Sequence, residues 1–382
     1  MKLGELCLLF TDGDWIESKD QSDSGIRLIQ TGNIGNGEFL YKNDKAKYIS
    51  EDTFKRLNCT EVFPDDILIS RLPEPVGRGC IIPDIGERMI TAVDCTICRV
   101  NEKLIDRKYF CYFLESNTYK TQLEQHVTGT TRKRISRKNL SSVEIDIPEQ
   151  AKQKEIVYKL DRLKKIIQNY NRESDLLDEL VRARFVEMFG DLESNSMNWE
   201  KSLLANKLNV IGGYAFRSSE FNECEGIPVL RIGNINSGYF KPVNMVYWKE
   251  NPRLSKYEVY PGDLVMSLTG TVGKDDYGNV CILGNEYGMY YLNQRNAKLE
   301  IVNGLNKYYL TQLLKFSYIK DKLTGINRGV RQANISNKDI LDLVVPVPPL
   351  ELQNQFASFV EEIDKSRLLS NHSLFLIKSI IF

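Results

Sequence analysis

Two long stretches of this chain carry the same apolar seam, the second lying two hundred positions after the first. The first follows Pro148 and holds no glycine or proline from Glu149 to Phe189. Its seam positions are Ile156, Leu160, Leu163, Ile167, Tyr170, Leu177 and Val181, with Ser174 in the one polar slot. The steps alternate four and three, the 3.5-residue repeat that keeps a stripe turned toward one partner helix. A helix of about 40 residues at 1.5 Å each reaches roughly 60 Å. Taken alone, this heptad is equally well met by a homodimeric zipper. The end of the chain repeats the pattern at Phe356, Val360, Ile363, Arg367, Ser370, Leu374, Ile377 and Ile381. The approach is repeated as well: Ile147-Pro148 answers Val347-Pro348, and Gln153 answers Gln353. Each helix is thus entered through an extended, proline-fixed segment. The simplest partner for the first helix is the second, antiparallel and in the same molecule. With Ile156 set against Ile381, Tyr170 faces Arg367 and Val181 faces Phe356.

The segments before the helices are also duplicated. Gly25 to Phe39 matches Gly226 to Phe240, sharing a Gly-Asn-Ile turn and a later Gly-x-Phe. Pro64 to Ser70 matches Pro261 to Ser267, and Gly129 to Ser136 is answered by Gly325 to Ser336. Strand-like runs such as Ile67 to Ser70 and Ala92 to Val100 alternate with glycine turns, and Tyr109 to Gln125 has helical spacing. One period of this size means tandem domains, since solenoid repeats are far shorter. The expected fold class is α+β: two similar mixed α/β domains joined by two long antiparallel, coiled-coil helices in a pseudo-two-fold repeat. The expected boundaries are residues 1–148 for the first domain and 149–190 for the central helix. The second domain then takes 191–348 and the distal helix 349–382.

Charge and composition exclude more than they assign. The 51 basic and 51 acidic residues cancel, so nucleic-acid binding must rest on local patches. No apolar run approaches the roughly 20 residues of a membrane span, and the start at Met1 lacks a secretory core. The expectation is a cytoplasmic protein with no membrane partner. Cys95 and Cys98 form one C-x-x-C without a second pair, and His126 and His372 are the only histidines. Buried thiols fit better than a zinc site, so no metal is expected. No adenosylmethionine loop or adenine-methylation motif is present. Gly270 to Lys274 imitates a phosphate loop, but Asp275 stands where a magnesium-binding hydroxyl belongs. Pro83-Asp84 with Asp106-Arg107-Lys108 is a carboxylate-plus-lysine pattern of the kind that arises by chance. No catalytic residue is assigned.

Binding chemistry is what remains. Arg71 and Arg78 flank one glycine turn, and Thr269, Thr271 and Lys274 occupy the corresponding turn of the second copy. Asn293-Gln294-Arg295, Asn327-Arg328 and Arg331-Gln332 form further clusters. Arg132, Lys133, Arg134, Arg137 and Lys138 make a basic run without an acid. Asn, Gln and Arg make paired contacts to base edges, while Lys and Thr suit phosphates.

In the order and duplication of these parts the chain resembles the specificity (S) subunit of type I restriction-modification systems, over essentially its whole length. The residues that carry the resemblance are Gly32-Asn33-Ile34 and Gly233-Asn234-Ile235, the Pro-x-Asp runs at Pro64 and Pro261, the approaches at Ile147 and Val347, and Met188-Phe189-Gly190-Asp191. The resemblance implies two target recognition domains, each reading half of a bipartite, asymmetric site on double-stranded DNA. It implies helices that set the spacing and dock two modification subunits, with restriction subunits in the full complex. Adenosylmethionine, ATP and magnesium would belong to those partners, leaving this chain non-catalytic and without a cofactor. In one respect the chain departs from the family: the second helix ends at Phe382 where the first continues past Val181 to Phe189, so the distal helix is expected to be short by a turn or two. Two alternatives stand beside this reading: a related system that cleaves on both sides of its site, and a tandem adaptor that binds no DNA.

Overall fold

The computed structural model describes residues 1–129, 132–271, 276–324 and 332–381, and side chains throughout these except at 332, 333 and 368–381. The chain forms two compact units, one of Met1–Tyr170 with Ser373–Phe382 and one of Asn171–His372. Each unit thus extends past a helix start and includes helical segments.

In the first unit, Ile26–Ile29 runs parallel to Met89–Thr91 within a five-stranded sheet. A four-stranded antiparallel sheet orders Cys7–Asp12, Cys95–Val100, Ile67–Ser70 and Gly79–Ile81. Ile67–Ser70 lies inside that sheet and is buried along its whole length. Its period of two divides the core: Ile67 and Ile69 pack with Phe110, Leu114 and Leu140, while Leu68 packs with Ile29, Cys80 and Met89. The helix expected over Tyr109 to Gln125 is two helices, Arg107–Glu115 and Asn117–Glu124. Ser116 ends the first in an extended conformation, and its hydroxyl caps the second by accepting the Tyr119 N–H at 3.2 Å.

The second unit repeats the plan. Leu208–Gly212, Asn296–Ile301, Leu264–Ser267 and Val280–Ile282 form one sheet. Val246–Trp248, Ile227–Leu230, Tyr290–Leu292 and Glu258–Val259 form the other, again with one parallel pair, Val229 beside Tyr291.

Two helices dominate the remainder, Gln150–Phe189 with 40 residues and Leu350–Ile381 with 32. A buried glutamine locks the start of each. Gln153 accepts the Asp106 N–H at 2.7 Å and donates to Pro148 O at 2.8 Å. Gln353 accepts the Asn306 N–H at 2.8 Å and donates to Pro348 O at 2.7 Å. An amide carries both a donor and an acceptor, so one side chain joins the incoming strand to the domain it leaves.

The facing register expected from the seam is not found within the second unit. Phe356 packs against Phe185 and Phe189, with ring centroids at 5.2 and 5.6 Å, further along the first helix than Val181. Arg367 pairs with Asp178 at 2.5 Å, eight positions past the expected Tyr170. Val181 and Phe356 are both buried, Leu177, Val360 and Ile363 half-buried, and Ser174 exposed. The reason is that beyond Val181 the helix packs into the core of its unit, with Tyr309, Leu310 and Leu313. Its buried stripe accordingly becomes Val181, Phe185 and Phe189, spaced every four residues. In the first unit Ile156, Leu160, Leu163, Ile167 and Tyr170 are half-buried. The side chains of Ser370, Leu374, Ile377 and Ile381 lie outside those described.

Candidate nucleic-acid interface

Three segments far apart in sequence meet at one corner of each unit. In the first, the Ile135 N–H donates to Arg71 O at 3.2 Å and the Arg71 N–H donates to Asp94 O at 2.8 Å. In the second, Ile335 N–H donates to Leu268 O and Leu268 N–H donates to Arg295 O, both at 2.8 Å. The corner joins the loop after the central strand, a tight turn between two later strands, and the segment leading to a short helix. Ser136 and Ser336 cap those short helices through the N–H groups of Asn139 and Asp339.

Arg71 and Arg78 are spent on the fold. Arg71 donates to Val93 O at 2.6 Å and Ile135 O at 3.3 Å, with Nε 3.2 Å from Asp12. Arg78 donates to Ile34 O at 3.0 Å, Thr31 O at 3.2 Å and Pro73 O at 3.5 Å. It therefore ties the Gly32-Asn33-Ile34 turn to the 70–79 loop. In the second unit Asn279 does the same work, donating to Asn236 O at 2.5 Å and accepting from Lys320 at 2.7 Å.

The basic run is different, since Arg132, Lys133, Arg134, Arg137 and Lys138 are all exposed. Lys133 pairs with Glu74 at 2.8 Å, and Arg137 reaches Thr11 Oγ1 at 3.3 Å with Asp12 at 4.0 Å. Arg132, Arg134 and Lys138 have no ion pair among the described residues. Through Arg78 and the Lys133–Glu74 pair, the 31–34 turn, the 70–79 loop and the basic run form one continuous rim.

Of the second copy's candidates, Thr269 is buried and donates to Asn334 Oδ1 at 2.9 Å. Asn293 is also buried and accepts the Arg295 N–H at 3.3 Å. Thr271, Gln294 and Arg295 are exposed. The strands Thr269–Thr271 and Gln332–Asn334 pair antiparallel, which places Gln332 beside Thr271. Lys274, Asn327, Arg328 and Arg331 lie outside the described residues.

Sequence reasoning missed the asparagines of the repeated Gly-Asn-Ile turn as loop clamps. Asn33 Nδ2 donates to Leu40 O at 2.9 Å and Tyr41 O at 3.3 Å, and its Oδ1 accepts the Gln30 N–H at 3.0 Å. Asn234 Nδ2 donates to Lys241 O at 2.9 Å and Val243 O at 3.0 Å, and its Oδ1 accepts the Arg231 N–H at 2.9 Å. Their recurrence in the same Gly-Asn-Ile turn of both copies was the available signal.

The thiols have a different setting. Burial pushes Cys80 and Cys95 up to about 12, so both stay protonated at neutral pH.

The family model for the type I restriction modification DNA specificity domain matches the chain twice, over residues 1–178 and 197–377. A putative type I restriction enzyme MjaX specificity subunit of Methanocaldococcus jannaschii is 25% identical over 366 residues, covering 90% of this chain and 78% of that protein. The EcoKI specificity subunit of Escherichia coli K12 is 24% identical over 367 residues, covering 89% and 76%. The S subunit of a type I system from M. genitalium has a similar fold, with a TM-score of 0.51 at 15% identity, over 100% of this chain and 93% of that one. A chain solved in a study of the assembly and conformational transition of the type I R-M system gives a TM-score of 0.53 at 16% identity, over 100% and 94%. With two recognition domains built on one plan, the chain belongs to the type I restriction modification DNA specificity family and is a non-catalytic DNA specificity subunit.

Proposed function

We propose that each domain reads one half of a bipartite, asymmetric DNA site, with the first half-site read by the rim that carries Arg132, Lys133, Arg134, Arg137 and Lys138. The long helices set the distance between half-sites and dock two modification subunits, which bring adenosylmethionine and methylate adenine. Restriction subunits add ATP- and magnesium-dependent translocation and cleavage. The complex works in the cytoplasm; no described helix is long and apolar enough to cross a membrane.

One observation carries this reading. The same corner is built twice, from Arg71, Asp94 and Ile135 in one unit and Leu268, Arg295 and Ile335 in the other, with the isoleucine kept and the other two positions changed. A shared backbone with unlike side chains is what reading two unlike half-sites requires, because hydrogen-bonding groups at base edges specify sequence while the scaffold only positions them. In the second unit exposed Gln294 and Arg295 are the base-reading candidates, with Thr271 and Gln332 on the neighbouring pair of strands. Arg71, Arg78, Thr269 and Asn293 support the rim from within.

The test is a domain exchange. Residues 1–148 are replaced by those of another S subunit, and the methylated motif is mapped across a host genome carrying the modification partner. One half-site changes and the other persists. A change in both half-sites overturns the modular reading.

A further inference from the structure

One exposed stretch of the first unit, absent from every candidate above, carries three lysines that no carboxylate pairs with among the described residues. Tyr41 is 53% exposed, and Lys42, Lys45 and Lys47 are exposed beside it. None of these three lysines forms an ion pair among the described residues. By contrast Arg56, Arg88, Arg99 and Lys108 of the same unit all pair with carboxylates. Asp44 is the one acid in the stretch.

The stretch is held in an uncommon shape. Lys42 has φ 43°, a left-handed conformation that costs a side-chain-bearing residue free energy unless its surroundings hold it. They do so from beneath: Asn33 donates to Leu40 O and Tyr41 O, and Arg27 Nη2 donates to Tyr41 O at 3.0 Å. Arg27 is only 4% exposed. Arg27 Nη1 donates to Tyr48 OH at 3.1 Å, and its Nε is buried without a partner among the described residues. A guanidinium withdrawn from water, with no carboxylate paired to it among the described residues, adds positive potential beneath the backbone of this stretch. The stretch also lies on the rim already described. Lys42 Nζ sits 3.4 Å from the position a Cβ on Gly32 would take, and Arg78 fastens that turn to the 70–79 loop.

We infer that Tyr41 to Lys47 is a DNA contact of the first unit, with Lys42, Lys45 and Lys47 on backbone phosphates and Tyr41 against a base or sugar. This rests on the reading of that unit as a DNA-reading domain. The second unit presents the equivalent loop with a different surface. There Tyr239 and Val243 are 59% and 57% exposed, and Lys241 lies 4.6 Å from the Tyr239 ring. The first half-site is therefore the more salt-sensitive of the two.

The experiment uses the full chain with its modification partner and two duplexes, one carrying the mapped motif and one scrambled. Replacing Lys42, Lys45 and Lys47 together by Ala weakens binding to both duplexes, and the slope of log K against log salt falls by about 0.9 per lost phosphate contact. Replacing them by Arg restores both, which separates charge from misfolding. Tyr41→Ala weakens the motif duplex about tenfold and leaves the scrambled one unchanged. If the parent complex binds the motif but the triple Ala variant keeps its affinity and salt slope, the inference is overturned. If the parent complex binds neither duplex, the DNA-reading assignment itself fails.

Discussion

Lys164 Nζ lies 2.7 Å from Glu115 Oε1, and the positions two hundred residues on carry the opposite charges, Asp364 and Lys315. Each helix thus meets its domain through a charge pattern that is the reverse of its counterpart's. In the first unit Asp161 adds bonds to Lys108 at 2.7 Å and Tyr112 OH at 2.6 Å. In the second, the Asp364 carboxylate lies close enough to Lys315, Arg367 and Asp178 for their charges to act on it. Duplication exchanged the charges at corresponding positions of the two helix seats.

Lys164→Glu is expected to destabilise the first unit by about 1–3 kcal/mol, since it sets a second carboxylate against the nearly buried Glu115. Adding Glu115→Lys recreates an opposite-charge pair and recovers most of the loss. A double-mutant cycle in urea checks it, with a coupling on the order of 1 kcal/mol. Additive effects would show that the pair contributes nothing.

The two seats respond to pH in opposite directions. Desolvation raises Asp161, but hydrogen bonds from Lys108 and Tyr112 outweigh it and hold the carboxyl below its usual value. Its stabilisation is present above the unfolded carboxyl value and is lost as pH falls through the folded one. Desolvation raises Asp364, outweighing the cations Arg367 and Lys315. Its ionised form is disfavoured in the fold, and that penalty grows as pH rises through the shifted value. Asp364→Asn should therefore match the parent melting temperature at about pH 3 and exceed it at neutral pH. Asp161→Asn should match the parent in acid and fall below it at neutral pH. Thermal melts from acid to neutral pH read both differences.

Gln153→Leu removes the bonds to Asp106 N–H and Pro148 O in a site that is 1% exposed. Leaving those buried backbone groups unpaired should cost about 2–4 kcal/mol. Hydrogen exchange at the Asp106 amide should accelerate, while Gln353 and its partners stay protected. Equal acceleration at both sites would contradict independent seats.

Phe185 is fully buried and packs against Phe189, Tyr309, Phe316 and Phe356. Phe185→Ala should cost about 3–5 kcal/mol through the cavity it leaves. Chemical denaturation measures it; a loss under 1 kcal/mol would mean the surrounding rings close the gap.

The duplication, the two helices and the α+β plan were legible in the chain because each rests on local spacing. A heptad step, a proline before a helix and a Gly-Asn-Ile turn are all short-range features. The glutamines stood out only as a repeated pair, yet the repetition marked the two residues that lock the helix starts. The basic run from Arg132 to Lys138 was also readable as an exposed patch, since nothing acidic interrupts it.

Register and side-chain role were decided by tertiary structure. The seam pattern set Val181 against Phe356, but packing with Tyr309 and Leu313 draws Phe185 and Phe189 inward and carries the contact further along the helix. Arg71 and Arg78 look like DNA-reading cations in one dimension, whereas in three they meet main-chain carbonyls brought from as far as Ile135. Lys42, Lys45 and Lys47 have no periodic spacing to mark them, and only the fold shows that none of them forms an ion pair among the described residues. Local periodicity determines which elements form, since it depends on neighbours along the chain. Which cation is neutralised and which is left for a ligand depends on neighbours in space, and only the folded chain supplies those.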